Sequence, residues 1–241
     1  MMKVYIGCSG YSYRDWKGKF YPEQLPTKDW LTFYSTVFNT VEINYTFYRT
    51  PGPTTVTNWK EKTEENFNFT LKGNRDITHY KKLNDIDESL NKFQDMAAVM
   101  RPKLSCVLWQ LPPSLHRDDK LLLNFCERLD IKNKNVIEFR HNSWFNTEVY
   151  EILKMSDISI CSISSPMFPE EMIVTSNTGY VRFHGKGKKW YDYDYSEEEL
   201  FQWYKKIRES KVSDVYIYFN NDLGGRAVHN AKALRQLFNL E

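Results

Sequence analysis

Short apolar runs alternate with longer amphipathic stretches along the whole chain. Eight runs rich in β-branched and aromatic residues have strand character: Lys3–Cys8, Thr40–Asn44, Phe67–Lys72, Leu104–Gln110, Val136–Arg140, Ile158–Ser162, Tyr180–His184 and Val215–Asn220. Between them, helical patterns cover Thr27–Phe38, Thr54–Glu65, Ser89–Met100, Asp118–Leu129, Asn146–Met155, Ser196–Glu209 and Ala227–Leu240. The interval Ser164–Thr178 breaks the rhythm. It holds Pro166 and Pro169 and has no clean period, so the sixth helix is expected to be short or missing. Strands alternating with helices imply an α/β protein with a parallel sheet, and eight of them imply closure into a (β/α)8 TIM barrel. The 241 residues match one such barrel, and no linker, repeat or low-complexity tract interrupts them. A single domain over 1–241 is expected.

The strands carry a second pattern. Side chains alternate across a strand with period two. Val41 and Ile43 oppose Glu42 and Asn44; Phe69 and Leu71 oppose Thr70 and Lys72. Ile137 and Phe139 oppose Glu138 and Arg140; Val181 and Phe183 oppose Arg182 and His184; Ile217 and Phe219 oppose Tyr218 and Asn220. The apolar parity suits packing under helices, which turns the polar parity into the lumen. Ionic groups are costly there unless they pair or bind something. They also gather at the strand C-termini, the face that carries active sites in this fold.

That argument assembles Glu42, Asn44, Lys72, Gln110, Glu138, Arg140, Arg182, His184 and Asn220. Glu42, Glu138 and His184 are the proton-transfer candidates, because a shared mouth of low dielectric pushes pKa values apart. Arg140 and Arg182 suit bidentate binding of a carboxylate or phosphate, and Lys72 adds a point charge or, if desolvated, a base. His141 closes the Glu138-Phe-Arg-His141 run, and His79 lies just after the third strand, where its loop would close over the mouth. The loops after strands are rich in rings, among them Tyr11, Tyr13, Trp16, Phe20, Tyr21, Tyr45, Phe47, Tyr48, Trp144, Phe145, Trp190 and Tyr191. Of these, Tyr48 and Trp144 join the candidate substrate contacts. The competing account is a self-neutralising network in which the carboxylates only hold the cations. Glu42, Glu138 and His184 could also ligate a divalent metal, but three cations would repel it, so no cofactor is expected.

Composition narrows the field. A net charge of +2 supplies no general field for polyanions, so nucleic-acid binding would rest on local groups such as Lys186, Lys188 and Lys189. Cys8, Cys106, Cys126 and Cys161 form no CxxC pair and suggest reduced, buried thiols in a cytoplasmic protein. No signal-peptide core or membrane-length apolar run is present. Nucleophile-elbow, Walker and dinucleotide fingerprints are also missing.

Several segments resemble the YecE-like family, a domain of unknown function. They are Gly7-Cys-Ser-Gly-Tyr-Ser-Tyr-Arg-Asp-Trp16, Gly18-Lys-Phe-Tyr-Pro22, Val41-Glu-Ile-Asn-Tyr-Thr-Phe-Tyr48, Ile77-Thr-His79, Leu108-Trp-Gln-Leu-Pro-Pro113, Glu138-Phe-Arg-His-Asn-Ser-Trp144, Tyr180-Val-Arg-Phe-His-Gly185 and Tyr218-Phe-Asn-Asn221. The resemblance runs in order from about Gly7 to the C-terminus. It implies a TIM barrel and no established activity. The fold is similar to that of endonuclease-IV-like and xylose-isomerase-like barrels, but their metal-binding His/Asp/Glu sets are not matched. An enzyme for a small anionic, phosphorylated or sugar-bearing substrate is the leading expectation. A nucleic-acid-binding protein, of a DNA-repair or endonuclease-IV-like phosphodiesterase kind, and a ligand-sensing module without catalysis are the alternatives.

Overall fold

Eight parallel strands make one sheet in the order β1-β8-β7-β6-β5-β4-β3-β2 in the computed structural model, which describes residues 2–187 and 191–240. The strands are β1 (Lys3–Cys8), β2 (Thr40–Ile43), β3 (Asn68–Lys72), β4 (Leu104–Gln110), β5 (Lys134–Glu138), β6 (Ser159–Ser164), β7 (Thr178–Phe183) and β8 (Asp214–Phe219). Helices α1 (Trp30–Ser35), α2 (Tyr45–Tyr48), α3 (Pro53–Glu61), α4 (Asp87–Met100), α5 (Asp119–Arg128), α6 (Thr147–Met155), α7 (Glu197–Glu209) and α8 (Arg226–Leu237) alternate with them. The expected (β/α)8 barrel is therefore observed, and β6 leads to β7 with no helix between them. Side chains tie that connection to β6: the Ile173 N–H donates to Ser162 Oγ at 2.9 Å, and the Thr175 hydroxyl donates to the Ile158 carbonyl at 2.7 Å.

Local chemistry sets the helix ends. Asp118 and Asn146 cap α5 and α6, and Ser196 with Glu199 forms a capping box on α7. The first predicted helix is shorter than its pattern. Thr27–Asp29 is a tight 3-10 turn, and α1 stops at Ser35, where the Ser35 and Thr36 hydroxyls bond back to the Thr32 and Phe33 carbonyls.

The two ends of the sheet meet at β1 and β2. A single parallel bridge joins Ser9 to Glu42 at the top of this seam. Lower down, the Tyr34 hydroxyl from α1 is inserted instead. It accepts the Cys8 N–H at 2.7 Å and donates to the Thr40 carbonyl at 3.1 Å. Gly7 allows the approach, because a Cβ there would lie 2.1 Å from the Thr40 oxygen.

Two apolar regions follow the strand alternation. One lies between sheet and helices and includes Ile6, Val41, Ile43, Phe69, Leu71, Ile137, Val181, Phe183, Ile217 and Phe219. The other fills the lower lumen with Cys106, Leu108, Val136, Cys161, Ile163, Tyr180, Tyr216 and Tyr218. Tyr5 stacks on Tyr216, with centroids 4.7 Å apart. Above them, the Tyr218 hydroxyl meets Thr40 Oγ1 at 2.7 Å and Thr70 Oγ1 at 2.8 Å. The ionic groups sit on this packed plug, at the strand C-termini.

Candidate functional site

The lower tier of the mouth is a buried carboxylate–guanidinium–carboxylate bridge. Arg182 at the end of β7 donates through Nη2 to Glu42 Oε1 at 2.7 Å and through Nη1 to Glu138 Oε2 at 2.6 Å. The Tyr180 hydroxyl donates to the other Glu42 oxygen at 2.6 Å. Both glutamates and Arg182 are fully buried. Arg182 and Tyr180 share a face of β7, two residues apart, so one strand supplies the cation and the hydroxyl together.

The upper tier rests on this bridge. Arg140 Nε pairs with Glu138 Oε1, and Arg140 Nη2 lies 3.1 Å from His184 Nε2. The other ring nitrogen of His184 faces the Asn220 amide at 3.1 Å. That contact is made by the amide nitrogen of Asn220, and His184 Nε2 also lies 3.5 Å from Glu138 Oε1. Lys72 ends β3 on the lumen face, half-buried, with Nζ 4.3 Å from the centre of the Phe47 ring. Among the described residues, Lys72 Nζ makes no hydrogen bond or ion pair.

The electrostatics separate these groups. Burial opposes ionisation of Glu138, but Arg140 and Arg182 overcome it and hold the carboxyl well below its ordinary range. Burial, then the charges of Arg140 and Arg182, push His184 down to about 3, so the imidazole is neutral. The same kind of desolvation, with Lys72 and Arg140 nearby, pushes His79 down to about 4. Burial and the Arg182 charge bring Lys72 from 10.5 to about 7. Near neutrality the amine therefore titrates.

The profile described as "Protein of unknown function DUF72" matches residues 5–241. The chain belongs to the DUF72 family. This agrees with the YecE-like resemblance of its motifs. It is 28% identical to the UPF0759 protein YunF of Bacillus subtilis, an alignment covering 99% of this chain and 95% of that protein. With the UPF0759 protein YecE of Escherichia coli it shares 29% identity over 143 residues, 59% of this chain and 50% of that one. The crystal structure of a DUF72 family protein from Thermotoga maritima superposes with a TM-score of 0.88 at 33% identity, covering 98% of this chain and 99% of that one. A DUF72 protein of Enterococcus faecalis, at 20% identity, shares the fold with a TM-score of 0.84, covering 100% of this chain and 99% of that one.

In this DUF72 barrel the other sequence candidates are dispersed. Asn44 lies just past β2, where its amide donates to the Ser9 carbonyl at 3.2 Å. Gln110 ends β4, half-buried, beside Glu138 in register. His79 sits in a π-helical turn, Asp76–Tyr80, with Nδ1 2.9 Å from the Thr78 hydroxyl and its ring edge-on to Phe47. Tyr48 is exposed under Arg75. His141 turns to the Ser143 hydroxyl at 2.8 Å and stacks on His116. Trp144 is packed behind the sheet on Phe139, with its indole N–H donating to the Leu115 carbonyl at 2.8 Å. Much of the first aromatic loop is also wall. Trp16 and Tyr21 are buried, and the Trp16 indole donates to the Asp222 carbonyl at 3.0 Å.

Several residues at the site escaped the sequence reading. Tyr180 continues the β7 alternation by one step, so the pattern already contained it. Phe47 was visible only as one of many rings. Cys161 Sγ lies 3.9 Å from Glu138 Oε2, with its thiol pushed up by burial and the Glu138 charge. Asp222, just after β8, is pushed up to about 6, chiefly by burial and then by the charge of Asp15.

Of the basic run, Lys186 is paired with Glu170 at 2.5 Å and with Glu199 at 3.3 Å. Lys188, Lys189 and Trp190 lie outside the described residues. Among the described residues, no three His, Cys, Asp or Glu side chains group as metal ligands. No described helix is long and apolar enough to cross a membrane. All four cysteines are buried and unpaired with one another.

Proposed function

We propose that this DUF72 barrel is an enzyme for a small anionic substrate, phosphorylated or sugar-bearing, bound over the strand C-termini. One contrast at the mouth carries the reading. Glu42 and Glu138 are committed to Arg182 and Arg140, whereas Lys72 has neither an ion pair nor a hydrogen bond among the described residues and titrates near neutrality. A bridge serving stability alone has no need of a desolvated amine beside it.

The roles divide by tier. Arg182 with Glu42 and Glu138 forms a rigid floor that fixes Arg140 and the neutral His184. Arg140 attracts the anion. Asn44, Gln110 and Asn220 offer amides to hydroxyl or phosphoryl oxygens, and Tyr48 and His79 flank from the loops after β2 and β3. His141 and Trp144 support the β5 loop from behind. Lys72, as free amine, takes the proton-transfer role in place of Glu138, which two guanidiniums make a weak base.

The test is a screen of phosphorylated metabolites by thermal shift, followed by product analysis of each stabilising compound. We expect turnover by the native chain, a KM raised about tenfold or more by Arg140→Ala, and a kcat lowered roughly 10²- to 10⁴-fold by Lys72→Met. Tight binding without any product would make the protein a sensor. Binding indifferent to Arg140→Ala would remove the site from the mouth.

A further inference from the structure

Lys72 stands at the strand end whose side chain enters the mouth beside the most crowded positive charge. Five ionisable groups act on it: Glu42 from β2, Glu138 at the end of β5 and Arg140 just after it, Arg182 from β7, and His79 from the turn after β3. Both carboxylates are already bonded to guanidiniums, so neither locks the lysine as an ammonium. The Phe47 ring covers one side of Nζ, its centre 4.3 Å away. A primary amine that is desolvated, lies next to cations and is not ion-paired is the arrangement that makes lysine a nucleophile.

We propose that Lys72 forms a Schiff base with the carbonyl carbon of an anionic aldehyde or ketone bound in the mouth. This rests on the reading of the mouth as an enzyme site for anions, and it names the substrate class. Burial and the Arg182 charge support it, since they leave about half the lysine as free amine at pH 7. The Nζ lone pair attacks the carbonyl carbon, and the π pair moves to oxygen. A proton passes from nitrogen to that oxygen to give the carbinolamine. Solvent then supplies one proton to the hydroxyl, which leaves as water as the nitrogen lone pair forms the C=N bond. The product is a protonated imine, an electron sink at the adjacent carbon. Arg140 lies on the β5 side, where it meets the anionic end of the same molecule.

The experiment treats the full chain with dihydroxyacetone phosphate or glycolaldehyde phosphate, reduces it with sodium borohydride, and locates the adduct by peptide mass mapping. Binding of the same compounds without reductant is measured by calorimetry on the native chain and on Arg140→Ala. We expect one dominant adduct, on Lys72, on the order of a hundredfold above any surface lysine. Its formation should be half-maximal near pH 7 and absent in Lys72→Arg, which keeps the charge but not the nucleophile. Arg140-dependent binding with no enrichment at Lys72 overturns the Schiff base and leaves the anion site standing. No binding and no adduct overturns both. The map of the native chain decides the point even if a variant fails to fold.

Discussion

Arg182 is the residue on which the mouth depends. It is fully buried and holds two fully buried carboxylates, and among the described residues its Nε has no hydrogen-bond partner. Placing three charges in such a site gains little by itself, but removing one partner strands the others. Arg182→Met should therefore cost about 3–5 kcal/mol or more in urea unfolding, because Glu42 and Glu138 lose their shared cation. Glu42→Gln keeps the shape and a polar partner for Tyr180 and Arg182, and should cost clearly less. An Arg182→Met variant as stable as the native chain would show that the bridge is not structural. Lys72 should behave in the opposite way. Its lowered pKa means that the fold disfavours the ammonium, first through desolvation and then through Arg182. Lys72→Met should thus stabilise the protein at neutral pH by roughly 1–2 kcal/mol while lowering kcat roughly 10²- to 10⁴-fold, as expected where a destabilising group is kept for chemistry. A destabilised Lys72→Met would contradict both the pKa shift and the role.

At the scale of elements, the seam between β1 and β2 is the weak point, because a tyrosine hydroxyl replaces part of a strand ladder. Tyr34→Phe should cost about 1–3 kcal/mol, since the Cys8 N–H and the Thr40 carbonyl lose their shared partner. Gly7→Ala should be worse. Its methyl group would overlap the Thr40 oxygen and force the barrel open, which is measurable as a lower unfolding midpoint and faster amide exchange in β1 and β2. Equal exchange in these strands before and after Gly7→Ala would rule out that reading of the seam.

This seam was invisible in the sequence, whereas the ionic mouth was not. Period-two alternation is a local property of a strand, so Glu42, Lys72, Glu138, Arg140, Arg182, His184 and Asn220 could be assigned to one side without knowing the fold. The missing sixth helix was equally local, carried by Pro166 and Pro169. Tyr34 acts through a contact between α1 and two strands that no local pattern encodes. His141 caps, and Trp144 ends, the 3-10 turn Asn142–Trp144 after β5, where the chain has left the extended path and alternation stops applying, so their directions were not legible. Which cation meets which carboxylate depends on strand register and tilt, and so the tiers emerge only in three dimensions.

For the whole molecule, these shifts add up to a pH dependence of stability. Burial leads the causes for His184 and His79, which fall from 6.5 to about 3 and about 4. Below pH 6.5 the unfolded chain therefore takes up protons that the folded chain refuses, and stability falls as the pH drops. Glu138, held below its ordinary 4.5, adds to the loss in the acid range. Asp222 opposes it. Its folded carboxyl keeps a proton up to about 6 and the unfolded one only to 3.8, so stability gains slightly over that window. On the alkaline side, Lys72 is protonated in the unfolded chain up to 10.5 but in the folded chain only to about 7. Stability should therefore climb between those values. Above about pH 9 it should fall again, because burial raises the thiols of Cys8, Cys106 and Cys161 above their ordinary 9 and the hydroxyls of Tyr34, Tyr180 and Tyr218 above their ordinary 10, so that only the unfolded chain ionises them. The maximum is thus expected near pH 9, more alkaline than is usual for a globular protein. Urea midpoints at pH 5, 7 and 9 measure it, and Lys72→Met separates its sources. That variant should keep the acid limb and lose the rise from pH 7 to 9. A native profile already flat over that interval would mean that Lys72 is an ordinary ammonium in the folded protein, and the mouth would lose the group on which its proposed chemistry depends.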